Sequence, residues 1–235
     1  MPADVLRRLL ASDPGRPRLT WYDDEPGPTA GERIELSARV LANWVAKAGN
    51  LLQDDAAAGP GTTVGLDLPT HWRTAYWALA TWSVGATVVV GTDALVADLL
   101  VTDSPQRAAG HHGDAVLVTL PALARRHPGA AEAGGAVDEA RELPSHGDRF
   151  TPLSEPEPGD VALSGDGVDT AYDALVVARP EWGPAPRVAV QAPPATALVQ
   201  SLSAWAADGS VVMLRGPRAA HAGRLEAEGV TVDLR

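Results

Sequence analysis

Between residues 18 and 119 the spacing of apolar positions changes several times, and each change marks an element. Arg18 to Tyr22 and Arg33 to Leu36 read as two short strands joined by the turn sequence DDEPGPTAGE. Ser37 then stands where a helix cap is needed. Behind it Val40, Leu41, Trp44, Val45, Ala48, Leu51 and Leu52 form one helical stripe, which Asp54, Asp55 and AAAGPG end. Thr63 to Leu68 predicts a buried strand, with Pro69-Thr70 as its turn. Thr70 is expected to cap a second helix reaching about Ser83. Its Trp72, Trp77 and Trp82 do not share a face, so that helix should be apolar most of the way round. Gly85 has the position of a left-handed helix terminator. Ala86 to Val90 is the next strand, with further strands at Asp98 to Thr102 and Ala115 to Thr119.

Residues 128–160 are rich in Gly, Pro and acid, with one short helical piece near Val137 to Leu143, and read as a connector. Beyond them the strand–helix rhythm resumes. Strands are expected at Val161 to Leu163, Arg187 to Gln191, Ser210 to Leu214 and Val230 to Leu234. Helices are expected at Thr196 to Ala207 and Arg218 to Glu228. The expected organisation is lobe 1–127, connector 128–160 and lobe 161–235. Such alternation predicts an α/β fold, a three-layer domain with one mostly parallel sheet and helices on both faces.

Composition restricts the chemistry more than the fold. The 235 residues include no cysteine, which removes thiol nucleophiles and thiolate metal sites. Of 19 basic residues 18 are arginine, and Lys47 is the one lysine. Beside the apolar stripe, it reads as a snorkelling surface residue. A net charge of −11 repels phosphate backbones, so no nucleic-acid partner is expected. Thr74 to Thr92 is uncharged, but Gly85, its Thr and Ser residues and the change from helix to strand pattern argue against a membrane span. The opening MPADVLRRLLASD reads as an amphipathic helix rather than a signal peptide. The expected setting is soluble and cytoplasmic.

Four stretches in register, LTWYDD, IELSARVLANWVAKAGNLL, GPGTTVGLDLPTHW and TAYWALATWSVGATVVVGTD, resemble the opening of the adenylate-forming superfamily, the acyl-CoA synthetases and related AMP-binding enzymes. The YDD…ERIELS and LPTHW stretches are similar to those of short AMP-binding-enzyme-like proteins of high-GC Gram-positive bacteria. RVAVQAPPATALVQSLSAWAADGSVVMLR is similar to a later stretch of the superfamily. The resemblance implies the fold of the N-terminal part of those enzymes. It also places the phosphate loop at LSGDGVDT, residues 163–170. Ser164 and Gly165 match the loop's Ser-Gly, Gly167 its remaining glycine, and Thr170 closes the stretch. Asp166 and Asp169 stand where the family has neutral or basic groups, and no lysine is present. A carboxylate about 4 Å from a phosphate costs about 1–4 kcal/mol unless a metal bridges them.

The superfamily's adenine and ribose sites, and the C-terminal domain with its catalytic lysine, match nothing in this sequence. The expectation is therefore a non-catalytic relative binding a small molecule or a partner protein, with no cofactor. ATP with magnesium at Ser164, Gly165, Gly167 and Thr170 is the competing possibility. One alternative is a reduced acyl- or amino-acid-activating ligase working with a separate C-terminal domain. Another is a structural or assembly protein.

Other candidates weigh less. His71 and Trp72 follow a strand and open a helix, where parallel sheets bind ligands, and are the candidate substrate contacts. Asp23-Asp24-Glu25 reads as a solvated acidic turn. His111-His112 with Asp114 lacks a second ligand pair, so no metal site is expected. Ser164 is no nucleophile elbow, because Ala162 occupies the position where that motif needs glycine.

Overall fold

The computed structural model describes residues 1–165, 167–218 and 222–235. Asp166 and residues 219–221 of the expected Arg218 to Glu228 helix lie outside the described residues. A proline at its first position opens α1 (Pro2–Ser12), which buries Val5, Leu6 and Leu9. β1 (Pro17–Asp23) and β2 (Arg33–Ser37) pair antiparallel across the turn. Ser37 caps α2 (Ala38–Asn50), its Oγ accepting from the Val40 N–H at 3.3 Å. The stripe does not stay α-helical to Leu52. After Asn50 the helix widens into a π turn, Leu51–Asp55. Leu51 and Leu52 stay in the core while Gln53 reaches backbone groups of Thr151 and Leu153.

β3 (Thr63–Asp67) leads into α3 (Trp72–Ser83). Every residue of α3 from Trp72 to Trp82 is buried, as its all-round apolar pattern requires. Burying each indole rather than exposing it contributes about 2–3 kcal/mol. Gly85 takes φ +84° and ends the helical run before β4 (Thr87–Val89). A short 3₁₀ segment, Gly91–Val96, crosses to β5 (Leu99–Thr102). α4 (Pro105–Gly110), β6 (Asp114–Leu117), β7 (Val137–Asp138) and α5 (Glu139–Glu142) follow. The remaining elements are β8 (Val161–Gly165), β9 (Val168–Ala171), β10 (Arg187–Val190), α6 (Pro194–Ala206), β11 (Ser210–Arg215), α7 (Ala222–Ala227) and β12 (Val232–Asp233).

The α/β class is as the sequence predicts, with helices on both faces, but the strands make two sheets rather than one. Among the described residues a five-stranded sheet runs β12-β10-β11-β1-β2 and a seven-stranded sheet runs β7-β6-β5-β3-β4-β8-β9. Among the described residues most neighbours are parallel, and only β1–β2 and β8–β9 are antiparallel. The five-stranded sheet draws on both ends of the chain, β1 pairing with β11, while the seven-stranded sheet is built from residues 63–171, with β8 beside β4.

Alternation along the strands shows why two sheets form. Leu19 and Trp21 of β1, Val211 and Met213 of β11, and Val64 and Leu66 of β3 all enter one core. That core lies between the sheets around α1, α2, α3 and α6, which pack on one another. The opposite face of the five-stranded sheet carries Tyr22, Ala189, Val212 and Leu214, covered by Leu225 of α7. The opposite face of the seven-stranded sheet carries Ala115 and Leu117, covered by Ala108 of α4 and by Ala133. The result is five layers, helix–sheet–helix–sheet–helix.

Candidate functional site

The parallel strands of both sheets end near the starts of α3 and α6. Thr70 does not cap α3, as the sequence suggested. Its Oγ1 donates to the Ala192 carbonyl at 2.7 Å, tying the approach of α3 to that of α6. Its own carbonyl accepts from Trp21 Nε1 at 3.3 Å. With Thr70 engaged across the sheets, the cap falls to His71, whose Nδ1 accepts from the Arg73 N–H at 3.1 Å. A neutral ring with an accepting Nδ1 carries its proton on Nε2.

His71 is not the half-exposed residue its place at a helix start suggests. It is 1% exposed and packs edge-on to Trp21, ring centroids 4.1 Å apart. Its Nε2 has no hydrogen-bond partner among the described residues. Burial, and then the positive fields of Arg73 and Arg215, hold its pKa well below the usual imidazole range. Trp72 is also buried, between Trp44 and Tyr76, with the Arg73 guanidinium 4.3 Å from its ring centroid.

Arg73 and Glu139 are the functional candidates that sequence reasoning missed. Arg73 Nη1 lies 3.3 Å from Glu139 Oε2, and Trp77 Nε1 donates to Glu139 Oε1 at 3.3 Å. Further donation from Arg73 reaches the Leu120 and Pro121 carbonyls. Burial outweighs the ion pair on the acid: the Glu139 carboxyl is pushed up to about 7, although Arg73 favours its charge. One sequence signal was present for Arg73, the lone charge between Asp67 and Asp93. Glu139, within DEARE, has the look of any surface acid.

The described residues of the stretch 163–170 fall on β8 and β9, which pair antiparallel. Leu163 pairs with Thr170, Ser164 with Asp169 and Gly165 with Val168. Ser164 is further engaged on its other side, its carbonyl accepting from the Val90 N–H at 2.9 Å. Gly165 lies so close to β4 that a Cβ there would stand 2.5 Å from Val90 Cγ2. Gly167 has φ +75°, and Thr170 is half-buried. These residues lie apart from His71 and Trp72 in the chain, and the stretch itself carries no cationic side chain.

Two clefts lie elsewhere among the described residues. One of about 520 Å³ opens at the ends of β3, β4 and β5, lined by Asp67, Pro69, Gly91, Leu95, Asp103 and Arg107 among others. Arg107 pairs with Asp67, and Thr102 Oγ1 donates to the same carboxylate at 2.6 Å. A second, of about 620 Å³, lies between α1, α2 and residues 148–156, with Leu6, Leu10, Val45, Trp82, Phe150 and Tyr172 in its walls.

Asp23 is buried rather than solvated, pairing with Arg215 at 2.9 Å, and Asp24 pairs with Arg224. Among the described residues no three His, Cys, Asp or Glu side chains gather as a metal site. Nor is any described helix long and apolar enough to cross a membrane. Lys47 is not a snorkelling residue: its Nζ donates to the Pro144 carbonyl at 3.1 Å and to that of His146, and pairs with Asp148 at 2.9 Å.

No protein-family model matches the chain. A TIGR03089 family protein of Mycobacterium tuberculosis is 35% identical over 160 residues, covering 66% of this chain and 63% of that protein. An acyl-CoA synthetase of Brucella canis superposes over 99% of this chain and 46% of its own, with TM-score 0.74 and 17% identity. The N-terminal domain of FACL13 from Mycobacterium tuberculosis superposes over 97% of this chain and 61% of its own, with TM-score 0.72 and 13% identity. A fatty acyl-adenylate ligase of L. pneumophila, in complex with acyl adenylate and pyrophosphate, gives TM-score 0.68 at 13% identity over 99% of this chain and 43% of its own. The fold is that of the N-terminal domain of adenylate-forming enzymes. The matched region spans less than two thirds of the curated relative and of each of these solved chains.

Proposed function

We propose that a chain with the N-terminal fold of adenylate-forming enzymes acts here as a non-catalytic relative, binding a small molecule or a partner protein without forming an acyl-adenylate. One observation carries this reading. The β8–β9 pair, where the sequence resemblance puts the phosphate loop, sets Asp169 directly opposite Ser164, and residues 161–171 include no lysine or arginine. A triphosphate there would meet negative charge, with only backbone N–H groups in its favour. With no cysteine and a net charge of −11, we read the protein as soluble and cytoplasmic.

Isothermal titration with ATP and magnesium tests the reading. The expected result is no saturable binding in the micromolar range. Micromolar binding that Ser164→Ala removes would overturn it. Sustained pyrophosphate exchange with a panel of carboxylic acids would favour a ligase acting with a separate domain.

A further inference from the structure

We propose that the crevice at the ends of β3 and β5 binds a small organic cation, an ammonium or amidinium with an apolar body, whose charge is met by Asp103. The inference rests on the reading above, that this fold binds a small molecule other than ATP, and names its chemical class.

Position is the first support. β4 and β5 lie on opposite sides of β3, so the chain leaves the end of β3 toward one neighbour and returns to the other. Ligands of open parallel sheets sit in the crevice at such a reversal, outside the carboxyl ends of the strands. Asp67 ends β3, Asp103 follows β5 directly, and the crevice between them has a volume of about 520 Å³. That is within the range of small-molecule sites, about 300–1,000 Å³.

Charge is the second support. The walls carry two carboxylates and one cation. Arg107 and Thr102 occupy the two oxygens of Asp67. Asp103 makes no ion pair among the described residues; the fields of His127 and Arg107 reach it, but less strongly than burial and the charge of Asp67 oppose it. Burial, and then the charge of Asp67, push the Asp103 carboxyl up. A cation arriving there would relieve both effects. Leu66, Leu68, Leu95, Pro69 and Pro194 form the rest of the wall and suit a hydrocarbon body. A bare divalent ion fits less well, since it requires several oxygens and Asp67 is already engaged. Phosphate is repelled by the same inventory.

The test is titration calorimetry on the full chain with n-hexylammonium and benzamidinium as probes. Hexanol and benzamide serve as neutral matches, with magnesium chloride and magnesium–ATP as further arms. Both cations should bind saturably, and the neutral matches at least about tenfold more weakly, as expected for one partly screened charge pair. Asp103→Asn should weaken cation binding about tenfold, whereas Arg107→Gln, which releases a second carboxylate, should tighten it. Those opposite signs separate electrostatic recognition from general damage to the fold, and near-UV circular dichroism confirms that each variant is folded. No saturable binding of either cation up to about 10 mM would overturn the proposal. So would neutral probes binding equally well, both variants shifting affinity in one direction, or Asp103-dependent binding of magnesium alone. Micromolar ATP binding beside intact cation binding would instead overturn the parent reading alone.

Discussion

Gly65 and Ala94 meet backbone to backbone: a Cβ built on Gly65 would stand 2.0 Å from the Ala94 carbonyl oxygen. Gly65 occupies the face of β3 turned away from the main core, where the Gly91–Val96 segment crosses the seven-stranded sheet. The contact leaves no room for a side chain on β3 where the six-residue segment crosses it.

Gly65→Ala should therefore be among the most damaging alanine substitutions in the chain. The obstructing atom is backbone, so no rotamer change relieves it, and the cost is expected to be about 3 kcal/mol or more. Urea denaturation read by tryptophan fluorescence measures it. Gly159→Ala, at a position with open space around it, is the control and should leave the midpoint unchanged.

Glu139 predicts a pH dependence of defined sign. Its carboxyl sits at about 7 in the folded protein against an ordinary 4.5, so the native state holds a proton that the unfolded chain has released. Stability from this group is fully present below about 4.5 and is lost as pH rises through about 7, by a few kcal/mol. Glu139→Gln should remove that part of the slope, at the expense of leaving Arg73 without its partner. Unfolding free energies at pH 5 and pH 8 for both proteins check the difference.

His71 acts in the opposite sense. Its folded pKa lies well below 6.5, so the unfolded chain takes up a proton that the native state refuses. Stability from this residue is present above about 6.5 and is lost as pH falls below it. His71→Asn keeps a helix-capping oxygen and cannot titrate. It should flatten the acid limb of the stability curve, measured by thermal melts from pH 7 to pH 5.

Residues 144–153 lie along α2 and its π turn, fastened by three side chains at three-residue spacing. Lys47 holds Pro144, His146 and Asp148, Asn50 holds Gly147 and Arg149, and Gln53 holds Thr151 and Leu153. Phe150 supplies an apolar anchor, its ring 3.0 Å from where a Gly49 Cβ would stand. Lys47→Met should speed amide exchange across 144–149 while costing the whole fold only about 1 kcal/mol. Unchanged exchange there would show that Phe150 and Asn50 suffice.

The order of helices and strands was legible because local signals carry it. Ser37 at the start of α2, Gly85 after α3 and the indoles placed around α3 all did what their residue types require. The division into two sheets was not legible, because it depends on pairings such as Leu19 with Val211 that no local pattern reports. The cap at His71 was misplaced for the same reason, since the partner that engages Thr70 is Ala192. At the candidate site, His71 and Trp72 were visible as residues but not as buried ones. Asp67, Asp103 and Arg107 are ordinary surface types in sequence, and only the strand order brings them to one crevice.

The pairing of β1 with β11 also sets a timetable for synthesis. β1 lies between β2 and β11, so the first hairpin to leave the ribosome has one edge unpaired until residue 215 has followed it. At about 5–20 residues per second the intervening stretch takes about 10–40 seconds to make. Throughout that interval Leu19 and Trp21 lack the strand that completes their sheet. A nascent chain of this topology exposes an apolar edge for longer than the order of its helices suggests, and its newest residues protect its oldest.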